Sequence, residues 1–241
     1  MDDAFRVVVV EGLDHLDPTS LTRVQALRPD RLALSNTVAR STPRRWRDAS
    51  RVLTTLAPAW PTVGGRDRRG DPKLRGVVAT WPGIGVPVLS DPVPWYGVDV
   101  VTGDVRWRWV VLDSNADALG TGWLDQRSWL PKVVSDRDVD RFVIALDAGP
   151  GRDAAGLLDL VRDHAPADKV VLVVAFGTRQ PGFVPIGGRW GEGRLAAGAL
   201  PAGGWWVVEL TEPGLRITAE RPLGTPVVHD WSPDRGWGRR P

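Results

Sequence analysis

The sequence predicts a layered α/β fold. Short runs rich in valine and other β-branched residues recur along the chain, and segments with helical spacing lie between them. At 241 residues, 42% hydrophobic and 25% charged, the chain is long enough for one large domain with a sizeable core. That domain is expected over residues 1–226, followed by a Trp/Arg/Pro-rich tail over 227–241.

The first strand is expected over residues 7–10, four consecutive valines after Phe5 and Arg6. An unbroken apolar run of this kind suits a strand covered on both faces. Residues 18–27 carry helical spacing, with Asp17 placed to cap them and Pro18 at the first helical position, where its missing N–H has no partner to lose. Further strands are expected over 32–34, 109–112, 142–146 and 170–175, and further helices over 44–56, 124–130 and 154–164. Residues 204–210 and 215–220 carry two further strand-like runs. Two Gly/Pro-rich stretches, 64–85 and 182–204, read as long loops because strand signals resume after each. The chain has no internal repeat.

Several motifs stand in a telling order. Tyr96-Gly97-Val98-Asp99-Val100 is followed by the run from Val105 through Trp107, Trp109 and Leu112 to Asp113-Ser114-Asn115, which ends in Leu-Asp-Ser-Asn and resembles the second half of a hairpin. Gly122-Trp123-Leu124-Asp125-Gln126-Arg127-Ser128-Trp129-Leu130 is similar to a G-x-L-x-x-Q-x-x-W-L pattern but one residue shorter between Leu124 and Gln126, and Pro29-Asp30 opens the second strand. Together these resemble the calcineurin-like metallophosphoesterase family. The resemblance covers roughly residues 5–222 and implies an α/β/β/α sandwich, two mixed sheets flanked by helices.

At the positions where that family places its metal ligands, this chain differs in five motifs. The Asp-x-His after the first strand is met by Gly12-Leu13-Asp14, with His15 one position late. The Gly-Asp ending the second strand is Ser35-Asn36, and the Gly-Asn-His-Asp loop is Gly64-Gly65-Arg66-Asp67. The expected His after residues 142–146 is Asp147, and the closing Gly-His-x-His resembles Phe176-Gly177-Thr178-Arg179. A two-metal phosphoesterase holds its ions about 3.5 to 4 Å apart and lowers the pKa of a bound water. Gly12, Gly65 and Gly177 offer no side-chain ligand, and Arg66 and Arg179 repel a cation. The resemblance therefore implies a degenerate member, lacking metal-dependent activity and serving as a binding or scaffold module. The alternative is a divergent phosphoesterase using Asp14, Asn36, Asp67 and Asp147 around one Mg²⁺ or Ca²⁺, since these supply only oxygen ligands.

Zero Cys excludes disulfides and thiolate metal sites. Met1-Asp2-Asp3-Ala4 has no basic leader and no apolar stretch reaches membrane-spanning length, so a cytoplasmic protein is expected. Between residues 40 and 75 lie ten basic residues (Arg40, Arg44, Arg45, Arg47, Arg51, Arg66, Arg68, Arg69, Lys73, Arg75) and three acidic ones (Asp48, Asp67, Asp71), an excess of seven although the whole chain carries only +2. Such a segment suits nucleic acid or an acidic partner, or is a solvated face. Thirteen Trp stand against one Tyr and four Phe. Trp107 and Trp109 share one face of their strand, whereas Trp205 and Trp206 point to opposite faces, so one of that pair is expected to be less buried. Trp231 and Trp237, in the tail, are the expected protein-partner contacts. Of the three His, His164 suits a helix end, His229 lies in the tail, and His15 alone falls near the site.

Overall fold

The computed structural model describes residues 4–13, 18–37, 42–65, 67–68, 94–114, 126–149, 152–166, 168–178, 182–185, 193–196, 204–220 and 226–240. Two sheets stack between helices. The first has seven strands in the order β13-β12-β11-β10-β1-β2-β3, and the second has six in the order β4-β5-β6-β7-β9-β8. The central strands are β1 (Phe5–Glu11), β2 (Arg31–Ser35) and β3 (Ala59–Thr62) on one side, and β5 (Val105–Leu112), β6 (Arg141–Asp147) and β7 (Val170–Phe176) on the other. β1, β2 and β3 pair parallel, as do β5, β6 and β7, while β4 (Tyr96–Thr102) and β10 (Trp205–Leu210) join antiparallel. Both sheets are mixed, as the family resemblance implies.

Period-two alternation decides which side chains meet between the sheets. Trp60, Ala33, Val9 and Trp206 lie side by side across β3, β2, β1 and β10. Trp60 meets Trp109 of the second sheet with ring centroids 5.4 Å apart and stacks on Phe5 at 5.8 Å. Trp109 in turn sits beside Val143, which sits beside Leu172. The even-numbered residues of β5 and β6, Val110, Leu112, Phe142, Ile144 and Leu146, face the other way and form a second core. That core takes Leu130 and Val134 from α3 (Gln126–Val134), and Leu157, Leu158 and Val161 from α4 (Ala154–His164).

Helices α1 (Pro18–Ala26) and α2 (Pro43–Leu56) accompany the first sheet, burying Val24 and, from α2, Trp46, Ala49 and Leu53. Thr42 caps α2 by accepting from the Arg45 N–H at 3.3 Å, with Pro43 at the first helical position. The first turn of α2 holds no acidic residue, only Arg44 and Arg45. Each of these cations opposes the helix dipole, at about 0.3–1 kcal/mol. In α4, Asp153 accepts from Gly156 N–H at 3.2 Å. Among the described residues no helix is long and apolar enough to cross a membrane.

The structure departs from the sequence reading in four places. Residues 59–62 form β3, hidden from pattern reading by Pro61, which is tolerated because this strand is a sheet edge. Residues 182–204, expected as a loop, contain β8 (Gly182–Pro185) and β9 (Gly193–Ala196). The supposed tail is the hairpin β12 (Val227–Ser232) and β13 (Gly236–Arg240), which continues the first sheet beyond β11 (Leu215–Glu220). Trp231 is thereby buried, 8% exposed, and Trp237 packs on Phe183 at 4.5 Å, so neither is the free indole that the tail reading required. Finally, Trp205 and Trp206 are both buried, at 1% and 4%. β10 is an interior strand covered on both faces: Trp206 joins the inter-sheet row, and the Arg23 guanidinium of α1 lies 4.9 Å over Trp205.

The far end of the sandwich is tied by arginine. Arg141 sits 5.0 Å from each of the Trp107 and Trp231 rings and donates to the Glu212 carbonyl at 3.1 Å, joining β6 to β12. Arg108, on the helix-covered face, clamps Asp99 at 2.6 and 2.9 Å and Asp136 at 2.8 Å. Its pKa is raised by hydrogen bonding to those carboxylates.

Two expectations follow. Trp109→Ala removes a fully buried indole and should cost about 3–5 kcal/mol in urea unfolding, with Trp109→Phe costing much less. A loss below about 1 kcal/mol would place the side chain outside the core. Ending the chain after Pro226 uncovers Leu215 and Ile217 and removes Trp231, so a large drop in thermal stability is expected.

Candidate functional site

The inward rows change character at the carboxyl ends of the strands. Two residues beyond Val9, Ala33 and Trp60, the same face carries Glu11, Ser35 and Thr62, which are again lateral neighbours. In the second sheet, the inward positions beyond Trp109 and Val143 lead to Asp113 and Asp147. The alternation that builds the core thus delivers polar side chains to one rim.

Those carboxylates are satisfied by the chain itself. Glu11 accepts from the Asn36 amide at 3.1 Å and, across the gap between sheets, from the Gly177 N–H at 3.2 Å. Asp147 accepts from Gly149 N–H at 2.8 Å and, also across the gap, from Gly65 N–H at 3.0 Å. The Arg152 guanidinium lies 3.6 Å from the same carboxylate. Asp67 accepts from Gly64 N–H at 3.0 Å, and Arg68 forms a short ion pair with Asp113. Gln126, 0% exposed, fixes the loop after β5 by accepting from Asp113 N–H and donating to the Asp113 carbonyl, both at 2.8 Å. Ser114 donates to the Asp147 carbonyl, and its own carbonyl accepts from Asp153 N–H at 2.7 Å.

Glycine makes this closeness possible. Gly177 has φ +71°, and a Cβ there would lie 2.2 Å from Asp147 Oδ1. A Cβ on Gly64 would lie 2.3 Å from the Asn36 amide oxygen. Gly177, where the resemblance implies a ligand, thus leaves room for Asp147 while its N–H reaches Glu11, and Gly64 leaves room for Asn36.

Electrostatics follow from burial. Asp147 is 2% exposed and its pKa is raised, chiefly by desolvation; bonds from Gly149 and Gly65 and the charge of Arg152 pull the other way. The folded chain then holds this proton more tightly than the unfolded chain does. Its contribution to stability is present at acid pH and is lost as pH rises through the folded pKa.

Of the residues singled out by sequence, the structure brings Gly12, Asn36, Gly65, Asp67, Asp147 and Gly177 to this rim. Asp14, His15, Arg66 and Arg179 lie outside the described residues, as do Arg40, Arg69, Lys73 and Arg75. Trp231 and Trp237 belong to the hairpin away from this rim. Sequence reasoning missed Glu11 and Arg152. Glu11 had a signal, being the lone charge closing a run of valines, whereas Arg152 had none beyond following Gly149, Pro150 and Gly151.

The described residues at this rim do not fit a transition-metal pair. Among the described residues no three His, Cys, Asp or Glu side chains gather as a ligand set. Asn36 and Asp147 spend their polar atoms on Glu11 and on backbone N–H groups, and a guanidinium stands beside Asp147. A different feature favours oxygen chemistry: the hydroxyls of Ser35, Thr37 and Thr62 are buried without a hydrogen-bond partner.

The Asp147 carboxyl should titrate above the ordinary aspartate range when followed by carbon-13 NMR. In Arg152→Gln, which removes a charge that lowers this pKa, the midpoint should move further up; a downward move would mean Arg152 does not act on Asp147.

No protein-family model matches the sequence, and no curated protein does. Comparison with solved structures finds matches over nearly the whole chain. The structure of PhoD aligns at TM-score 0.64 with 8% identity, over 98% of this chain and 71% of that one. A phosphatase from Mycoplasma pneumoniae aligns at 0.52 with 11% identity, over 100% and 94% of the two chains. A hypothetical protein from Thermus thermophilus aligns at 0.51 with 14% identity, over 98% and 100%. With two mixed sheets, four flanking helices in the described residues and these neighbours, the chain has the metallophosphoesterase-type fold.

Proposed function

We propose that this chain is a metallophosphoesterase-fold protein without metal-dependent phosphoesterase activity, acting as a binding or scaffold module in a protein complex. One observation carries the reading. Where a hydrolase of this fold needs open ligands, Glu11 and Asp147 are engaged by backbone N–H groups of the opposite sheet, with Arg152 alongside. A carboxylate that accepts such bonds gives them up only at the cost of burying unpaired donors, about 1–3 kcal/mol each. A metal would have to displace the bonds that join the two sheets.

A second reading rests on the buried hydroxyls. Ser35 and Thr62 share the inward row with Glu11, and their oxygens, with Thr37, suit a single hard cation such as Mg²⁺ or Ca²⁺. The chain would then be a divergent phosphoesterase with an oxygen-ligand site.

Metal analysis and a generic phosphodiester substrate separate the two. Protein purified without added metal should contain no stoichiometric Mn, Fe or Zn. It should not hydrolyse bis-(p-nitrophenyl) phosphate above background after addition of Mn²⁺, Mg²⁺ or Ca²⁺. Stoichiometric transition metal, or hydrolysis abolished by a chelator and restored by metal, would sink the first reading. Hydrolysis restored by Mg²⁺ or Ca²⁺ and lost in Glu11→Gln would establish the second.

A further inference from the structure

The outward face of α2 carries four arginines in its first nine residues. Trp46, Ala49 and Leu53 point into the core, which leaves Arg44, Arg45, Arg47 and Arg51 exposed on the other side. They span about 10 Å of helix axis, close to one screening length at physiological salt, so an approaching ligand meets them as one patch. On α2 itself the acid beside them is Asp48, 3.6 Å from Arg51, and that contact is held in water at 82% and 59% exposure. Arg44 and Arg45 also stand in the first turn, with no acidic residue to offset the positive end of the helix dipole. An ordinary solvated helix places acids there. Here the arrangement weakens the helix and concentrates positive potential at one spot.

We propose that this face docks an acidic, glutamate- or aspartate-rich segment of a partner protein. Charge complementarity names the sign of the occupant, and three features choose protein over nucleic acid. Among the described residues the patch has no exposed aromatic side chain for base stacking, since Trp46, the indole within it, is 1% exposed. Val52, 37% exposed, adds an apolar contact to the arginines, a pairing typical of protein interfaces. The chain as a whole carries only +2, which gives short-range complementarity but no wide positive field to follow a phosphate backbone. The proposal supplies the scaffold reading with a class of partner. It fails separately from that reading, because metal content and hydrolysis do not depend on α2.

The test uses the full chain and a fluorescein-labelled glutamate-rich peptide, with a labelled short DNA duplex as the competing probe. Peptide binding should be measurable at low salt and weaken as salt rises. It should fall at least about tenfold in Arg44→Gln/Arg45→Gln/Arg51→Gln. The single substitution Arg51→Glu, in the middle of the helix and fully wetted, reports the same loss if the triple variant folds poorly. Arg28→Gln/Arg137→Gln, which removes two exposed arginines elsewhere, should bind as the parent does. Retained binding in the α2 variants, equal loss in the Arg28/Arg137 control, or tighter binding of the duplex than of the peptide would each overturn the proposal.

Discussion

A carboxylate at the end of a strand must find donors, and in this molecule Glu11 and Asp147 each take one of theirs from the opposite sheet. Glu11 ends β1 and takes the Gly177 N–H beyond β7; Asp147 ends β6 and takes the Gly65 N–H beyond β3. The two bonds run in opposite senses, each sheet giving one carboxylate and one amide. Charged hydrogen bonds are worth about twice neutral ones, and here they close the end of the sandwich where the apolar rows have run out. The loops after β1, β2, β3, β6 and β7 are arranged around them. The Asn36 amide serves Glu11 from a left-handed backbone at φ +50°, and Gly64 leaves room for that amide.

These bonds join strands of both sheets at the rim where the family resemblance implies ligand positions. Ions at such a rim would neutralise several carboxylates at once and join strands from both sheets. In this chain the N–H groups of Gly65 and Gly177 and the Arg152 guanidinium meet two of the rim carboxylates, Asp147 and Glu11. Gly65 and Gly177 stand at motif positions where the family resemblance implies ligands, and each now donates a backbone hydrogen bond.

Much of the fold was legible because the strands buried on both faces are written as runs of valine, leucine and alanine: β1, β2, β6 and β7 follow directly from them, and α4 runs over the residues its spacing predicted. What escaped was local. β3 contains Pro61, and β8, β9 and β13 are short and rich in glycine or proline, so their existence depends on neighbours rather than on propensity. The rim was half legible. Motif order located Asn36, Asp67, Asp147 and Gly177, yet no pattern says that a carboxylate will bond across a gap between sheets, because that depends on strands far apart in sequence. The pair Trp205 and Trp206 was misjudged for a similar reason: a strand reads as half-exposed until the elements that cover both of its faces are known.

Tryptophan fills the centre at a cost. The indole N–H groups of Trp60, Trp109, Trp205 and Trp206 are buried without a partner, each offsetting part of the large apolar area its ring buries. At the edge, Pro61 has a different consequence. It lacks an N–H, and its carbonyl already accepts from the Tyr96 hydroxyl at 3.0 Å. The outermost strand on this side therefore presents a residue that cannot pass the ladder on to a newcomer, so the first sheet ends at β3 by chemistry as well as by topology.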